Sequence, residues 1–157
     1  MKILKKIIIS VSIVLVISQF FSPDKNNGDI ATVAAFIAET NPPKDVKNIL
    51  ETTCFDCHSA KTTYPWYNAI TPVNYWLNEH IQDGKKHLNF SKWNTYSLKK
   101  KEHKMDELHE EVEAGEMPLN SYTWTHSEAN LSPAQIAAVV TWGKKVQVDY
   151  KQQISTK

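Results

Sequence analysis

Apolar side chains recur every three or four positions in several stretches of the chain, whereas the strict alternation typical of β-strands is almost absent. From Lys44 onward, the stripe formed by Val46, Ile49 and Leu50 predicts an amphipathic helix. This helix is expected to run directly into residues 54–58. The pattern therefore places the end of this helix at residues 54–58, which contain both cysteines of the chain.

Three further helices have clear start signals, in which a polar capping residue precedes a helical apolar stripe. They are expected to begin after Thr71, Ser97 and Ser132, and the first two to end at Gly84 and Gly115. The start of the last helix has the clearest signals, because a proline and a capping-box glutamine follow Ser132. Together these signals predict an all-α domain.

The apolar stripes also indicate which side chains form the core. Met105 and Leu108 lie on the stripe of the helix that follows Ser97, so Met105 is expected to be a core residue. Between the stripe positions the helix is densely charged, and His103 and His109 are therefore expected to be solvated. Loop 85–96 carries two aromatic anchors, Phe90 and Trp93.

The first residues have the layout of an export signal. Three lysines precede an apolar run from Ile7 to Phe21, and a polar stretch follows. The run is shorter than the roughly 20 residues of a typical membrane span, but no pair of small residues marks a cleavage site. A cleaved signal and an uncleaved anchor in the inner membrane therefore both remain open, and either places the body in the periplasm.

This pattern predicts four regions along the chain. Residues 1–22 form the signal or anchor, and residues 23–42 form a tether with a short helix in Ile30 to Glu39. Residues 43–150 form the domain, and residues 151–157 form a tail. A length of 157 residues agrees with one domain, and the 41% hydrophobic content is enough for a core around an apolar cofactor. The net charge of +1 gives no indication of nucleic-acid binding.

The two cysteines of the chain, Cys54 and Cys57, stand directly before His58 in a C-x-x-C-H motif. This motif is typical of covalent attachment of one c-type haem, in which both thiols form thioethers and the histidine ligates the iron. A thioredoxin-like dithiol would need alternating strands and helices. A structural zinc site would need two more ligands, and a disulfide between residues so close in sequence would stabilise little. Haem c is thus the favoured cofactor, with iron bound by His58.

The second axial ligand of the iron decides between functions. Met117 is the first candidate, because it follows a helix end and precedes a proline, where a short loop can present its thioether. His126, His80 and His87 follow in that order. If methionine occupies the sixth coordination position of the iron, the function favoured is that of a carrier of single electrons. An open or displaceable site would instead favour a haem-based sensor, a small-ligand binder or a peroxidase-like enzyme.

Several segments resemble the bacterial haem-binding domain family, over roughly residues 36–146. The segments that carry the resemblance are Cys54–His58, Tyr64–Tyr67, Gly84–Ser91 with Trp93, and Gly115–Leu119 with Tyr122. The resemblance implies haem binding at Cys54, Cys57 and His58. We expect a cytochrome c-like helical fold around the haem, and a redox protein as the partner.

Overall fold

The computed structural model describes residues 2–156, and within them the chain is helical, which confirms the all-α prediction. The α-helices are α1 (Lys2–Ser18), α2 (Ala34–Thr40), α3 (Lys44–Ile49), α4 (Phe55–His58), α5 (Val73–His87), α6 (Leu98–Ala114), α7 (Asn120–Thr123) and α8 (Pro133–Ser155). Short 3₁₀ helices lie at Ile30–Val33, Trp66–Ala69, Phe90–Thr95 and Ser127–Ala129. In this described part of the chain, β-structure is limited to one isolated bridge between Asn27 and Lys61.

Two of the three predicted capping residues, Ser97 and Ser132, begin their helices as expected. The prediction for Thr71 was wrong, because α5 begins at Val73, directly after Pro72, and has no side-chain cap. The side chain of Ser97 accepts a hydrogen bond from the backbone N–H of Lys100 at the start of α6. Ser132 and Gln135 form a reciprocal capping box at the start of α8. Gly115 ends α6 with a φ of 75°, a left-handed conformation that glycine adopts without strain. Helix α8 continues to Ser155, so most of the predicted tail is helical.

The core is centred on aromatic side chains from different parts of the chain. Phe36 is fully buried, and its ring lies 4.4 Å from that of Phe90, 5.0 Å from Trp93 and 6.0 Å from Trp142, measured between centroids. Phe36 belongs to the segment that we expected to act as a tether. The packed domain therefore begins before residue 43, because burying this ring requires the segment to lie against the rest of the fold.

Helices α6 and α8 pack against each other along much of their length. Met105 is completely buried, which confirms its assignment to the core. His109 is only 5% exposed, so the expectation that it is solvated was wrong. Its Cβ lies 3.0 Å from the position that a Cβ on Gly143 would occupy, so the glycine lets the two helices approach closely.

The N-terminal helix α1 has 17 residues, and none of its side chains is buried. Within residues 2–156, no helix combines the length and the apolar character needed to cross a membrane. The segment that follows α1 is attached to the domain. The Gln19 side chain donates to the carbonyl of Thr71 and accepts from its N–H, both at 3.0 Å, and the amide of Asn74 donates to the hydroxyl of Ser22.

Candidate functional site

The C-x-x-C-H motif lies in a continuous helical run that starts at α3. A π-helical turn over Leu50–Cys54 connects α3 to α4, and α4 carries the rest of the motif. π-helical turns are rare and are often found at functional sites. The expected helix into the cysteines is confirmed, and the wider turn directly before the motif is a feature that the apolar pattern did not reveal.

The ring of His58 is held in one orientation. Its Nδ1 lies 3.0 Å from the carbonyl oxygen of Leu88, and the ring packs against Phe90 with 6.1 Å between centroids. Burial lowers the pKa of His58, while the hydrogen bond to the Leu88 carbonyl acts in the opposite direction. A neutral imidazole that donates from Nδ1 keeps the lone pair of Nε2 for a metal, as metal-binding histidines generally do.

The segment that supplies this carbonyl is fixed on both sides. The N–H of Leu88 donates to the carbonyl of Gly84 at the end of α5. Asn89 caps the following 3₁₀ helix by accepting from the N–H of Ser91, and the hydroxyl of Ser91 accepts from the N–H of Ala60 at 2.8 Å. Because Ala60 follows the motif closely, the histidine and its hydrogen-bond partner are held together as one unit.

Gly84 was expected to end its helix, and this was wrong, because α5 continues through it to His87. The glycine is used for close packing. A Cβ at this position would lie 3.1 Å from the carbonyl oxygen of Cys57 and 3.2 Å from its Cβ. The absence of a side chain at Gly84 thus allows α5 to approach the backbone of the motif.

We predict that Gly84→Val destabilises the protein by about 1–3 kcal/mol through overpacking. The clash involves the backbone of Cys57, which cannot move aside as a flexible side chain would. Gln82→Val is the matched control, because it introduces the same side chain at an exposed position of the same helix. Chemical denaturation of both variants measures the difference, and equal stabilities would contradict the packing argument.

Three of the four predicted site residues meet at one cavity of about 340 Å³, whereas Cys57 is not among the residues that line it. Cys54 and His58 line it from the motif, and Met117 lines it from the loop after α6. Most of the remaining wall is apolar, and it includes Ile49, Phe90, Leu108, Val112, Leu131 and Val139. The volume falls within the range of about 300–1,000 Å³ of small-molecule sites, which are likewise mostly apolar with few polar groups.

The loop that carries Met117 is anchored to the end of α6. The N–H groups of Glu116 and Met117 both donate to the carbonyl of Glu111, at 3.0 and 3.1 Å. Met117 is partly buried and packs against the core. This geometry differs from that of Met105, which is completely buried within the core.

The rival histidines divide between two cavities. His87 lines the same cavity as His58, and its Nε2 lies 3.8 Å from a carboxylate oxygen of Asp83. His80 and His126 instead line a smaller cavity of about 40 Å³ together with Cys57. His126 stacks on Tyr122 at 4.1 Å between ring centroids. The structure thus brings Met117 and His87, but not His80 or His126, to the cavity of His58.

Asp56, inside the motif, connects α4 to two neighbouring segments. One carboxylate oxygen accepts from the N–H of Thr63 at 2.8 Å, and the other accepts from the hydroxyl of Tyr122 at 3.0 Å. Burial, together with the charge of Asp56, raises the pKa of Tyr122. The Tyr122 hydroxyl therefore stays protonated and donates its hydrogen bond to Asp56. Through these two contacts, Asp56 holds α7 and the loop around residue 63 against the motif.

Both cysteines are free thiols in a buried environment. Burial raises the pKa of Cys54 to about 12, and burial together with the charge of Asp56 raises that of Cys57 to about 11. Since the thiolate is the reactive form in disulfide exchange, both thiols are slow to oxidise at neutral pH. Among residues 2–156, no three His, Cys, Asp or Glu side chains form a group that could hold a metal ion by themselves.

Comparison with family models gives a match to the haem-binding domain over residues 13–145. The chain belongs to the haem-binding domain family. The match covers most of the chain, and it extends further towards the N-terminus than the resemblance noted from the motifs. Comparison with curated proteins and with solved structures gave no match.

Membership of the family shows that this domain binds haem. The cavity of His58 fits such a group, because an oriented imidazole, a thiol and a thioether converge on an apolar space. Sequence reasoning missed the carbonyl of Leu88 that orients the imidazole. A backbone acceptor has no signature in a sequence, since every residue carries one.

Proposed function

We propose that this haem-binding domain carries one haem c, bonded through thioethers to Cys54 and Cys57, and transfers single electrons to a redox partner protein. The observation that carries the proposal is the joint placement of Cys54, His58 and Met117 around one cavity. His58 and Met117 would then hold the haem iron through an imidazole nitrogen and a thioether sulfur. When bound, the haem iron supplies a reversible one-electron couple, whose potential a methionine ligand raises.

The residues of the chain have three tasks in this proposal. The Leu88 carbonyl keeps His58 in the tautomer that presents Nε2 to the iron. The loop after α6 holds the thioether of Met117 in place through its backbone hydrogen bonds to Glu111. The apolar part of the wall, which includes Leu108 and Val139, gives the haem ring a surface to pack against.

One observation favours a second function. His87 and Asp83 both line the cavity of His58, with 3.8 Å between Nε2 and Oδ1. A histidine beside a carboxylate can move protons near neutral pH. If Met117 leaves the iron or never binds it, this pair supports a sensor, a small-ligand binder or a peroxidase-like enzyme.

A redox titration of the purified, haem-loaded protein in the presence and absence of carbon monoxide distinguishes the electron carrier from the second function. For the carrier we expect a reversible one-electron transition and a reduced spectrum that carbon monoxide does not change. Rapid binding of carbon monoxide to the reduced wild-type protein would refute the carrier and support the second function.

We further propose that the domain works in the periplasm, either soluble after signal cleavage or anchored in the inner membrane. The lysines before Ile7 and the apolar helix α1 support this location. A reporter that is active only in the periplasm, fused after residue 157, should be active. N-terminal sequencing of the mature protein then separates cleavage from anchoring. Activity of only a cytoplasmic reporter at the same position would contradict the proposal.

A further inference from the structure

Another concave surface of the protein is larger than the cavity of His58 and much more polar. It has a volume of about 780 Å³ and borders the face of α5 that carries Gln82, Lys85 and Lys86. The other walls come from residues 24–28, from Ala60 and from the segment after α5. Apart from Asn89 and Ser91, which fix the segment of Leu88, the polar side chains that line this surface have no part in the proposed electron transfer.

The charge of this pocket is strongly positive. Four lysines line it, namely Lys25, Lys85, Lys86 and Lys92, against the single carboxylate of Asp24. Within residues 2–156, none of these four ammonium groups lies within 4.0 Å of a carboxylate. Like charges gathered in a concavity attract anions, because their fields add there.

One of the four lysines is held in place. The Nζ of Lys85 donates to the side-chain oxygen of Asn26 at 2.7 Å. Asn26 is itself fixed, since its amide donates to the carbonyl of Ser59 and to the hydroxyl of Thr62. Burial and the charge of Lys92 lower the pKa of Lys85.

The wall opposite α5 is also rigid. The N–H of Gly28 donates to the carbonyl of Ala60 at 2.8 Å. A Cβ on Gly28 would lie 2.7 Å from that oxygen, so only glycine allows this close contact. The pocket is therefore formed before any ligand arrives, which lowers the entropic cost of binding.

We propose that this pocket binds an anionic phosphate group, with Lys85 as the central contact and Lys25, Lys86 and Lys92 around it. Lysine ammonium groups bind phosphate as point charges, and several can share one phosphate because its oxygens point in different directions. The group comes either from a soluble phosphorylated compound or from the headgroup of an anionic phospholipid. The inference does not depend on the proposed electron transfer.

The first arm of the test uses inorganic pyrophosphate and the full-length, haem-loaded protein in isothermal titration calorimetry at low ionic strength. We expect Lys85→Gln and, separately, Lys92→Gln to weaken binding at least tenfold. Lys99→Gln is the matched control, because it removes the same charge from an exposed position on α6. Lys92 is exposed, so its variant keeps the test valid if Lys85→Gln does not fold.

The second arm measures co-sedimentation with vesicles of phosphatidylglycerol and of phosphatidylcholine. A preference for phosphatidylglycerol that Lys85→Gln or Lys92→Gln removes, without binding of pyrophosphate, assigns the pocket to a lipid headgroup. Binding of pyrophosphate that these variants weaken assigns it to a soluble compound. The proposal is overturned if neither the binding of pyrophosphate nor the binding of vesicles depends on Lys85 or Lys92. It is also overturned if Lys99→Gln weakens binding as much as these variants do.

Discussion

Replacing Met117 with alanine is expected to remove the methionine–iron charge-transfer band and to open the reduced iron to carbon monoxide. The potential should fall by about 0.1 V or more, against the roughly 0.8 V over which axial ligands set haem potentials. The reason is that Met117 lines the cavity of His58 from an anchored loop and has the only thioether among the residues that line it. Absorption spectra and a redox titration measure both effects.

Met105→Ala is the control for this experiment. Its side chain is fully buried in the core, so we expect a loss of about 2–5 kcal/mol in the free energy of unfolding. The band and the potential should remain. If Met117→Ala leaves the spectrum and potential unchanged, Met117 is not the ligand, and His87 is tested next because it lines the same cavity.

Replacing both Cys54 and Cys57 with alanine is expected to convert a haem that stays with the denatured chain into one that acid–acetone extracts completely. The proposed thioether bonds are the reason, because such bonds survive unfolding, whereas a bond between His58 and iron would not. Extraction of the denatured wild-type protein and of the double variant measures the effect directly.

The single variants Cys54→Ala and Cys57→Ala are the controls for attachment. Each retains one thiol, so the haem should remain with the chain while one vinyl group stays unreacted, and the pyridine haemochrome band should move to longer wavelength. Free extraction of haem from the wild-type protein would show that attachment is not covalent. Binding through His58 alone would then be the simplest alternative.

Features determined by neighbours in sequence were predictable. The caps at Ser97 and Ser132 involve residues only a few positions apart, so the sequence contains all the participants. The motif of Cys54, Cys57 and His58 is equally local, and the covalent attachment that its spacing indicates stays a prediction. For the loop with Met117, the glycine and proline on either side were sufficient to predict an irregular segment after α6.

Features that depend on packing were not predictable in this way. Gly84 looks like a helix end, and only its approach to Cys57 explains why the helix continues. The surrounding charges suggested solvation for His109, although it lies four residues after Met105 on the buried stripe. Periodicity was thus a better guide than local polarity. Phe36 was missed because its helix, α2, is too short to show a convincing stripe.

The segment between α1 and α2 has little freedom to extend. Gln19 is bonded to Thr71, and Asn26 and Gly28 are bonded to the backbone that follows the motif. A free linker of ten residues would let a domain range over roughly 16–19 Å. If α1 stays in a membrane, the haem domain therefore keeps one orientation towards the lipid surface. The proposed electron transfer would then depend on lateral diffusion of the whole protein to a redox partner, rather than on movement of the domain about a flexible linker.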